Sequence, residues 1–410
     1  MNIPKWDHRA SSPVTRNFSK PDPMGGGIIV RPRSRILHGH DWVYSSEILK
    51  TFGNPEDGTV VSIKDGRDQL LGVGIYNSKS QIVVRRFSRR RQDLDEDFFR
   101  RRITQSLEYR TNAGCRADLV RLVWSESDGL PGLIVDRYGK VLVLQALTKA
   151  MDIHRELIAR VLTELTQADC VIERNDAPVR AAEGLELRSG VLCGTPPDQP
   201  IEVEIGGIRF LVDPLAGHKT GLYLDQLESY NIVAPLAKER RVLDCFSNQG
   251  GFALACAKHG ATSVIAVESG AESVAKLREN AERNKLSIEV KHADVFEVLN
   301  RGGEFDLIIL DPPSFTKTRA KVNEALRGYR DLHARAARLL TKGGLLVSFS
   351  CSHHVAGHEF EEAISEGLQD ARRNMRLIRR IGQPLDHPVV LGIPETEYLK
   401  GVVLEAMPGR

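Results

Sequence analysis

The feature that most constrains the fold is an alternation of short apolar runs and helical segments that begins near residue 201. After a hairpin-like pair of runs, I-E-V-E-I and I-R-F-L-V-D, a helical pattern separates most of the runs. Such alternation is typical of a parallel sheet covered by helices on both faces. We predict an α/β fold with strands at 241–245, 263–267, 288–291, 305–310, 345–349, 375–381 and 398–404. No helical pattern separates the last two strands, which should therefore form an antiparallel hairpin at the sheet edge.

The rest of the chain divides into a β-rich front part and a mixed middle part. Residues 27–92 begin with short β-type runs separated by Gly, Asn, Asp and Pro, which predicts a small barrel or sandwich. Residues 93–200 hold strand-like runs around a helix at 153–165, which predicts a small α+β connecting domain. The α/β domain then takes residues 201–410. The polar, proline-containing residues 1–26 are expected to form a disordered tail.

The composition argues against several classes of protein. No run approaches the roughly 18 apolar residues that a membrane span requires, and the first residues lack the apolar core of a signal peptide. The six cysteines show no C-x-x-C spacing, so neither a zinc site nor a disulfide framework is expected. We therefore expect a soluble cytoplasmic protein with reduced thiols, no metal and no membrane partner.

Positive charge is concentrated at the front of the chain. The first 110 residues hold 20 Lys and Arg against 13 Asp and Glu, a balance of +7, although the whole chain carries only +3. Residues 85–102 alone contain eight arginines and four acids. This imbalance points to a polyanionic partner, because cations displace counterions from phosphates. A solvated linker and helix face explains residues 85–102 equally well.

A nucleotide-binding loop is predicted at the end of the first α/β strand. The sequence V-L-D-C-F-S-N-Q-G-G-F places Asp244 at the strand end and Gly250 and Gly251 at the start of a helix. Glycines there let a ligand approach the backbone, where a Cβ would collide. A full G-x-G-x-x-G motif is absent, which disfavours a nicotinamide cofactor. Glu268 ends the next strand, where a carboxylate can accept hydrogen bonds from ribose hydroxyls.

Further polar residues extend this predicted site. Asp294 follows the third strand and can accept a hydrogen bond from an adenine amino group, beside an apolar wall made by Val295 and Phe296. Each acid alone is more simply explained as a helix N-cap. Three acids in register favour a ligand site over that explanation.

The segment D-P-L-A-G-H-K-T-G-L-Y-L-D-Q, residues 213–226, holds more functional groups than a connector needs. Its Lys219, Tyr223 and Asp225 can close over a cofactor. In the alternative interpretation, the leucines of this segment simply open a helix.

A thiol and a carboxyl group are predicted to meet at the same sheet edge. Asp311 ends one strand in L-I-I-L-D-P-P-S-F, and Cys351 ends the neighbouring strand in S-F-S-C-S-H-H. Ends of neighbouring parallel strands share an edge, so the two side chains should converge. Cys245 and Cys256 fall inside a strand and a helix and should be buried and inert.

Such a pair suits methyl transfer to carbon 5 of a pyrimidine. That carbon becomes nucleophilic only after a thiolate adds to carbon 6. Asp311 can hydrogen-bond the N3 and N4 edge of cytosine, and a base then removes the carbon-5 proton. His353 or His354 can lower the thiol pKa or serve as that base, although an exposed loop histidine is more often a bystander.

Several longer motifs resemble one family over nearly the whole chain. They are G-H-D-W-V-Y-S, S-E-S-D-G-L-P-G-L-I-V-D-R-Y-G, G-H-K-T-G-L-Y-L-D-Q, C-F-S-N-Q-G-G-F, D-P-P-S-F, S-F-S-C-S, D-H-P-V and P-E-T-E-Y-L-K-G. They are similar to the 23S rRNA large-subunit cytosine-5 methyltransferases of type I. The resemblance implies an N-terminal PUA domain that binds RNA, a Rossmann-like class I methyltransferase domain, S-adenosylmethionine as cofactor and 5-methylcytosine in 23S rRNA as product.

The resemblance carries the family's catalytic cysteine over to Cys351, and Asp311 is predicted to act with it. The predicted cofactor site takes residues from the strand ends and the loops beside them: Lys219, Tyr223, Asp225, Asp244, Phe246, Ser247, Gly250, Gly251, Glu268, Ser269, Asp294, Val295, Phe296 and Asp311. Asn248 and Gln249 depart from the aromatic or small hydroxyl residue expected before the glycine pair.

Two other functions fit parts of the sequence. D-P-P-S-F is close to the tetrapeptide of enzymes that methylate exocyclic amino groups, in which Cys351 would be dispensable. A catalytically inactive RNA-binding assembly factor is the second alternative, although it would not need to keep the acids and the cysteine. The sequence leaves open the exact nucleotide, the choice between naked rRNA and a ribosomal particle, and a homodimer.

Overall fold

The computed structural model describes residues 24–215, 221–316 and 318–408. All but the last three residues of the predicted tail, and Lys219 of the predicted cofactor loop, lie outside these ranges. Within them the chain forms three successive units, each with its own sheet or pair of sheets. No helix in the described ranges is both long and apolar enough to cross a lipid bilayer.

The front unit contains one six-stranded sheet. Its strands are β1 Gly27–Val30, β2 Trp42–Tyr44, β3 Ile48–Phe52, β4 Val60–Lys64, β5 Leu70–Tyr76 and β6 Ile82–Ser88. They lie in the order β2-β6-β5-β4-β1-β3, with β1 and β4 parallel and the other neighbours antiparallel. The branched residues Ile28, Val43 and Val61 are fully buried between these strands. The prediction of a compact β-rich module is confirmed.

The middle unit packs helices against a five-stranded sheet. Its elements are α1 Glu96–Asn112, β7 Leu119–Trp124, β8 Leu133–Tyr138, β9 Val141–Ala146, α2 Lys149–Ile153, α3 Arg155–Thr166, β10 Cys170–Asn175, α4 Val179–Ala182 and β11 Arg188–Gly194. The sheet order is β11-β10-β9-β8-β7. Helix α1 begins after Asp95, whose carboxylate accepts a hydrogen bond from the Phe98 N–H at 2.8 Å and so caps the helix. This arrangement matches the α+β unit predicted from the sequence.

The last unit begins with a hairpin and continues as a helix-covered sheet. Its strands are β12 Ile201–Ile205, β13 Ile208–Val212, β14 Arg241–Cys245, β15 Ser263–Glu268, β16 Glu289–His292, β17 Phe305–Leu310, β18 Leu340–Ser350, β19 Met375–Ile381 and β20 Lys400–Ala406. Its helices are α5 Leu227–Val233, α6 Gly251–Lys258, α7 Ala271–Arg283, α8 Val295–Asn300, α9 Val322–Arg338 and α10 Gly357–Asp370.

The large sheet has the order β16-β15-β14-β17-β18-β20-β19. Strands β14 to β18 are parallel, and β20 is antiparallel to both of its neighbours. The predicted antiparallel pairing of the last two strands, with one of them at the sheet edge, is confirmed. Strand β18 is longer than predicted, because it starts at Leu340 rather than at residue 345.

Alternate residues of the central strands enter two different cores. Leu243 and Ile308 face the layer formed by α8, α9 and α10, whereas Val242 and Leu307 face the layer formed by α5, α6 and α7. All four side chains are fully buried. Because side chains alternate across a strand, a sheet buried on both faces needs a nearly continuous apolar run, which is the pattern seen in the sequence.

Polar contacts join the three units. Glu126 of the middle unit accepts hydrogen bonds from Trp42 Nε1 at 2.8 Å and from Arg85 Nη1 at 2.7 Å, both in the front unit. The segment between β19 and β20 reaches back to both other units: Glu395 pairs with His40, and Asp386 accepts the Arg121 N–H. The front and middle units are therefore held against the sheet that carries the predicted site.

Candidate functional site

The predicted site residues lie along one edge of the large sheet. Strands β15, β14, β17 and β18 run side by side in the same direction, so their carboxyl ends meet at this edge. Asp244 lies near the end of β14 and Glu268 ends β15, while Asp311 follows β17 and Cys351 follows β18. The structure therefore brings these four residues together, and their roles in binding or catalysis stay predictions.

Asp244 presents a buried oxygen that lacks a partner. The residue is 1% exposed, and its Oδ2 accepts a hydrogen bond from the Ala253 N–H of α6 at 3.0 Å. Among the described residues, its Oδ1 has no hydrogen-bond donor. Burial, with added repulsion from Asp311, raises the pKa of this carboxyl to about 8. A buried acceptor without a donor is costly, so Oδ1 marks a place where a ligand can donate.

The loop after β14 has a backbone that most residues avoid. Phe246, Asn248 and Gly250 all have positive φ, at 63°, 48° and 92°. The loop is held by Ser247, whose N–H donates to Val267 O at 3.0 Å and whose hydroxyl donates to Asp244 O at 2.8 Å. Strained backbone of this kind persists where the surroundings fix it, and it is concentrated at functional sites.

The two glycines of this loop are needed for packing as well as for access. A Cβ on Gly250 would lie 2.2 Å from Leu277 Cδ1, and a Cβ on Gly251 would lie 2.3 Å from the Tyr230 ring. From the sequence, both glycines were expected to let a ligand approach the backbone. In the structure, the neighbouring helix and the Tyr230 ring already exclude any larger residue.

The acids at the next two strand ends also serve local structure. Glu268 accepts hydrogen bonds from the Asn248 N–H at 3.0 Å and the Gly270 N–H at 2.7 Å, one on each oxygen. Asp294 caps α8 by accepting the Glu297 N–H at 3.2 Å. Asp294 is therefore a helix N-cap, which was the simpler explanation for this residue. A carboxylate has about four acceptor positions, so both acids can also bind a ligand.

Three other residues of the predicted cofactor site, Val295, Phe296 and Ser269, differ in how deeply they are buried. Val295 is 2% exposed and packs in the core below the edge, and the Arg335 guanidinium lies over the Phe296 ring at 5.6 Å. Ser269 is exposed, and its carbonyl lies 3.0 Å from His292 Nε2. Val295 therefore supports the site from below, whereas Phe296 and Ser269 lie nearer the surface.

Asp311 lies in a group of polar side chains that includes residues from the loop before α5. Gln226 Nε2 donates to Asp311 Oδ2 at 3.1 Å, and the buried Gln226 Oε1 has no donor among the described residues. Burial raises the pKa of Tyr223 to about 12, and repulsion from Asp225, Asp311, Cys351 and Glu268 adds to that effect. Tyr223 is thus a protonated hydroxyl close to both predicted catalytic groups.

Cys351 differs from the other cysteines of the last unit. Cys245 and Cys256 are fully buried, as predicted, and burial raises the pKa of each thiol. Cys351 is partly exposed and its Sγ lies 4.0 Å from Pro312 O, the residue after Asp311. The thiol and the D-P-P segment therefore do converge at the edge. Lys400 Nζ, at the start of β20, donates to Ser352 O at 3.0 Å.

A hydroxyl network supports the bend that presents Cys351. Tyr329 of α9 donates to Ser350 Oγ at 2.8 Å and lies 3.1 Å from Ser352 Oγ. Ser352 in turn lies 3.1 Å from Ser314 of the D-P-P-S-F segment. The residues on both sides of Cys351 are thus anchored to the helix layer and to the neighbouring strand end.

The loop before α5 brings some of its polar side chains to the same edge. Lys219 lies outside the described residues. Asp225 Oδ2 accepts the Tyr398 hydroxyl at 2.6 Å, and the His353 ring stacks on Tyr398 with centroids 5.1 Å apart. Leu224 is buried and begins a 3-10 turn that leads into α5. The loop therefore does both things that the sequence allowed: its Leu224 begins the turn into α5, and its Asp225 makes a polar contact at the site.

Comparison with known proteins identifies the family of the chain that carries this site. Residues 133–397 match the S-adenosylmethionine-dependent methyltransferase family, and residues 31–89 match a PUA-like domain. Ribosomal RNA large subunit methyltransferase I of Aeromonas salmonicida is 38% identical over 390 residues, which are 92% of this chain and 98% of that protein. The chain belongs to the ribosomal RNA large subunit methyltransferase I family.

Other members and neighbours of this methyltransferase family agree. The Escherichia coli O127:H6 protein of the same name is 36% identical over 391 residues, 93% of this chain and 99% of that protein. A Streptococcus mutans structure described as a SAM-dependent methyltransferase superposes with a TM-score of 0.79 at 21% identity, covering 92% of this chain and 99% of that one. A methyltransferase structure complexed with S-adenosylhomocysteine superposes with a TM-score of 0.80 at 21% identity, and it also covers 92% of this chain and 99% of that one. The predicted fold, enzyme class and cofactor are confirmed.

The edge of this methyltransferase fits S-adenosylmethionine in its chemistry. Asp244 Oδ1 and Gln226 Oε1 are buried acceptors that have no donor in the part of the chain that the structure describes, and they suit the ammonium and hydroxyl donors of that molecule. Glu268 and Asp294 add carboxylates at the next two strand ends. The described ranges contain no cluster of three or more His, Cys, Asp or Glu side chains arranged to hold a metal ion. The four acceptor residues Asp244, Gln226, Glu268 and Asp294 would hold the cofactor through hydrogen bonds.

Three residues of the site were missed in the sequence prediction. Gln226 ends a motif that was quoted for its Tyr and Asp, so its position beside them was the available signal. Tyr230 closes over Gly251, and Lys400 pairs in the sheet with Ser350, next to Cys351. Tyr230 has no local signal, because its position depends on helix packing. Lys400 lies in the quoted motif P-E-T-E-Y-L-K-G, but its place beside Cys351 depends on the pairing of β20 with β18.

Proposed function

We propose that this methyltransferase makes 5-methylcytosine in large-subunit ribosomal RNA, with Cys351 as the nucleophile. The proposal of an rRNA substrate is supported by the names of the two relatives, which match over at least 92% of this chain, and by the PUA-like domain at its front. An rRNA substrate implies that the protein works in the cytoplasm, where its six free cysteines stay reduced.

The observation that carries the proposal is the partly exposed Cys351 thiol, 4.0 Å from the Pro312 carbonyl at the strand end that also presents Asp311. A methyltransferase acting on an exocyclic amino group has no use for a thiol at this point. Carbon 5 of cytosine needs one, because addition of a thiolate to carbon 6 makes carbon 5 nucleophilic.

The chain's own groups then have distinct tasks. The Cys351 thiolate adds to carbon 6, while the Asp311 carboxyl group hydrogen-bonds the N3 and N4 edge of the base and orients it. Tyr223, kept protonated by burial, can donate a hydrogen bond into the same space. S-adenosylmethionine, when bound, supplies an electrophilic methyl group. Release of the carbon-5 proton and of the thiolate restores the enzyme.

A base in duplex RNA cannot reach a strand-end pocket, so the cytosine must be unpaired or flipped out of its stack. An RNA-binding module in front of the catalytic domain is suited to hold the flanking nucleotides. The same architecture would serve naked rRNA or an assembling particle.

The decisive experiment uses large-subunit rRNA fragments that carry 5-fluorocytosine. The wild-type protein with S-adenosylmethionine should form a covalent complex that resists denaturing electrophoresis, because fluorine at carbon 5 blocks proton release. Cys351→Ser should form none and should make no 5-methylcytidine detectable by nucleoside mass spectrometry. Cys115→Ser, which changes another partly exposed cysteine, is the matched control and should behave as wild type.

Other results would assign another function. Full activity of Cys351→Ser, with N4-methylcytidine as product, would establish the amino-group methyltransferase and refute the proposal. If calorimetry detects no binding of S-adenosylhomocysteine at millimolar concentration and no RNA is methylated, the protein is the inactive RNA-binding factor. Circular dichroism of each variant excludes unfolding as the cause of a loss.

A further inference from the structure

A cavity of about 640 Å³ lies where the three units of the chain meet, apart from the strand-end site. Its wall is formed by the end of β6 and the loop after it, by one side of α1, by the turn at Ser125–Asp128 and by Pro388 and Val390 of the last unit. This volume is in the range of sites that hold small ligands or single nucleotides. Residues of all three units are needed to build it.

The acidic groups of the cavity are already neutralised. Arg86 Nε donates to Asp41 at 2.7 Å, and Arg85 Nη1 donates to Glu126 at 2.7 Å. The Asp128 carboxylate accepts hydrogen bonds from both terminal nitrogens of Arg110, at 2.5 Å and 2.8 Å. Each carboxylate in the wall therefore has its own arginine, and none contributes net negative charge.

Three further arginines of the wall have no such partner. Within the described ranges, no carboxylate lies within 4 Å of the guanidinium groups of Arg89, Arg90 or Arg102. Arg89 and Arg90 are exposed in the loop after β6, and Arg102 is half-buried on α1. Arg102 Nη2 donates to Phe87 O at 3.0 Å, which holds the side chain in the wall. The cavity thus has an excess of three positive charges.

The remaining wall residues can recognise a nucleotide. Tyr109 is 39% exposed and the Arg110 guanidinium lies over its ring at 5.2 Å, so the aromatic plane is fixed by a neighbour. Gln105 supplies an amide and Ser88 a hydroxyl. Unpaired guanidinium groups beside an aromatic ring are the combination that binds single-stranded nucleic acid, with phosphates on the cations and a base on the ring.

Packed rings connect this cavity to the catalytic edge. Pro388, in the cavity wall, follows His387, whose ring lies 5.5 Å from Trp124 and 6.5 Å from Tyr398. Tyr398 stacks on His353, two residues after Cys351. A strand held in the cavity would therefore be anchored beside the structure that carries the catalytic residues.

We propose that this cavity binds the sugar-phosphate backbone of the RNA substrate, with Arg89, Arg90 and Arg102 as phosphate contacts and Tyr109 as a stacking surface for a base. The inference rests on the proposed function, because it takes RNA as the substrate. It assigns a role to the arginine-rich stretch that the sequence alone could explain as a solvated surface.

The test compares two triple variants of the full-length protein. The first, Arg89→Gln with Arg90→Gln and Arg102→Gln, removes the three cavity charges. The second, Arg278→Gln with Lys285→Gln and Lys342→Gln, removes three exposed charges from α7, the turn after it and the start of β18, away from the cavity. Binding of a large-subunit rRNA fragment is measured by fluorescence anisotropy across a series of salt concentrations. Binding of S-adenosylhomocysteine is measured by calorimetry.

The cavity variant should bind RNA at least tenfold more weakly, and the slope of log affinity against log salt should fall by about two, since each phosphate contact on a single strand contributes about 0.7. Its affinity for S-adenosylhomocysteine should not change. The distal variant should match wild type in both measurements. The double variant that keeps Arg102, and so keeps its bond to Phe87 O, should show an intermediate slope.

Unchanged RNA affinity and salt slope in the cavity variant would overturn the inference. If wild type still forms the 5-fluorocytosine complex in that case, the proposed function stands without it. Failure of wild type to bind or trap RNA would reject both together. Saturable binding of AMP that the cavity variant loses, with RNA affinity intact, would assign the cavity to a mononucleotide and also overturn the inference.

Discussion

Lys400 places a positive charge beside the segment that carries Cys351. It pairs across the sheet with Ser350, and its ammonium donates to the Ser352 carbonyl at 3.0 Å. Burial lowers the pKa of Lys400, and attraction to the Cys351 thiolate opposes that effect. By the same attraction, Lys400 favours the thiolate. Tyr223 and Tyr329, two titratable groups that interact with this sulfur, are neutral.

Lys400→Met should therefore raise the pKa of the Cys351 thiol, which lowers the thiolate fraction and slows adduct formation at neutral pH several-fold. The measurement is the pH dependence of iodoacetamide alkylation at Cys351, followed by peptide mass spectrometry. Lys400→Arg retains the charge and should shift the profile less. Identical profiles for Lys400→Met and wild type would show that the ammonium has no such influence.

Asp244 should make the cofactor-free protein less stable as the pH rises. Its carboxyl ionises near 3.8 when unfolded but at about 8 when folded, so unfolding releases a proton between these values. The free energy of unfolding should then fall across that range, by on the order of a few kcal/mol. Asp244→Asn is neutral at every pH and should lack this contribution. Urea unfolding of both proteins at pH 5 and pH 8 checks it, and an equal pH effect in both would contradict it.

Individual residues show where sequence reasoning was strong and where it was limited. Asp244, Asp311 and Cys351 were placed correctly at one edge, because a strand pattern followed by a polar residue fixes the end of a buried strand. The hydrogen bonds from Tyr398 to Asp225 and from the Asn248 N–H to Glu268 could not be foreseen, since these partners lie in other parts of the chain. Lys400 was missed because it becomes a neighbour of Cys351 only after the sheet forms.

Among the elements, α9 and β18 together determine how the catalytic cysteine is presented. The Tyr329 hydroxyl bridges Ser350 and Ser352, the two residues on either side of Cys351. All three of these side chains are fully buried. The chain therefore leaves the strand at a bend whose polar groups are satisfied from one helix.

Tyr329→Phe should leave those two serine hydroxyls without their bridging partner and lower the free energy of unfolding by about 1 to 3 kcal/mol. It should also reduce kcat more than it raises the KM for RNA, because a looser bend misplaces the thiol after substrate has bound. Urea unfolding and steady-state kinetics measure the two effects. Tyr76→Phe, the same chemical change on a half-buried tyrosine of the front unit, should alter neither quantity. Normal kcat in a destabilised Tyr329→Phe protein would confine the network to a structural role.

Strand prediction succeeded for the elements and failed for part of the topology. The limits of β14, β17 and β19 agree with the predicted ones. For β17 the reason is a mostly apolar run, F-D-L-I-I-L, that ends at the polar residue Asp311. The insertion of β20 between β18 and β19 was not foreseen. Pairing order depends on contacts between strands distant in the chain, and the local pattern does not encode it.

At the scale of the whole molecule, the segment between β19 and β20 ties the catalytic unit to the other two. Asp386 is 7% exposed, its carboxylate accepts the Arg121 N–H at 2.8 Å, and its carbonyl accepts Arg110 Nη2 at 2.9 Å. Glu395 lies 2.9 Å from His40 Nε2 of the front unit and is about a third exposed. Asp386 belongs to the motif D-H-P-V and Glu395 to the motif P-E-T-E-Y-L-K-G. The sequence alone gave these two motifs no physical role, and in the structure each makes one of these connections.

These two connections should differ in strength because they differ in burial. Asp386→Ala leaves the Arg121 N–H and the His387 ring without their acceptor at a buried position, and should lower the free energy of unfolding by about 3 kcal/mol. Glu395→Gln, in the same segment, should cost less than about 1 kcal/mol, since the Glu395 carboxylate is about a third exposed and solvent-accessible pairs contribute little. Urea denaturation followed by tryptophan fluorescence and by circular dichroism tests both. With Asp386→Ala the two probes should separate, because the middle unit, which contains Trp124, loses its support from the catalytic sheet before that sheet unfolds. Coincident transitions at the wild-type midpoint would show that Asp386 does not couple the units.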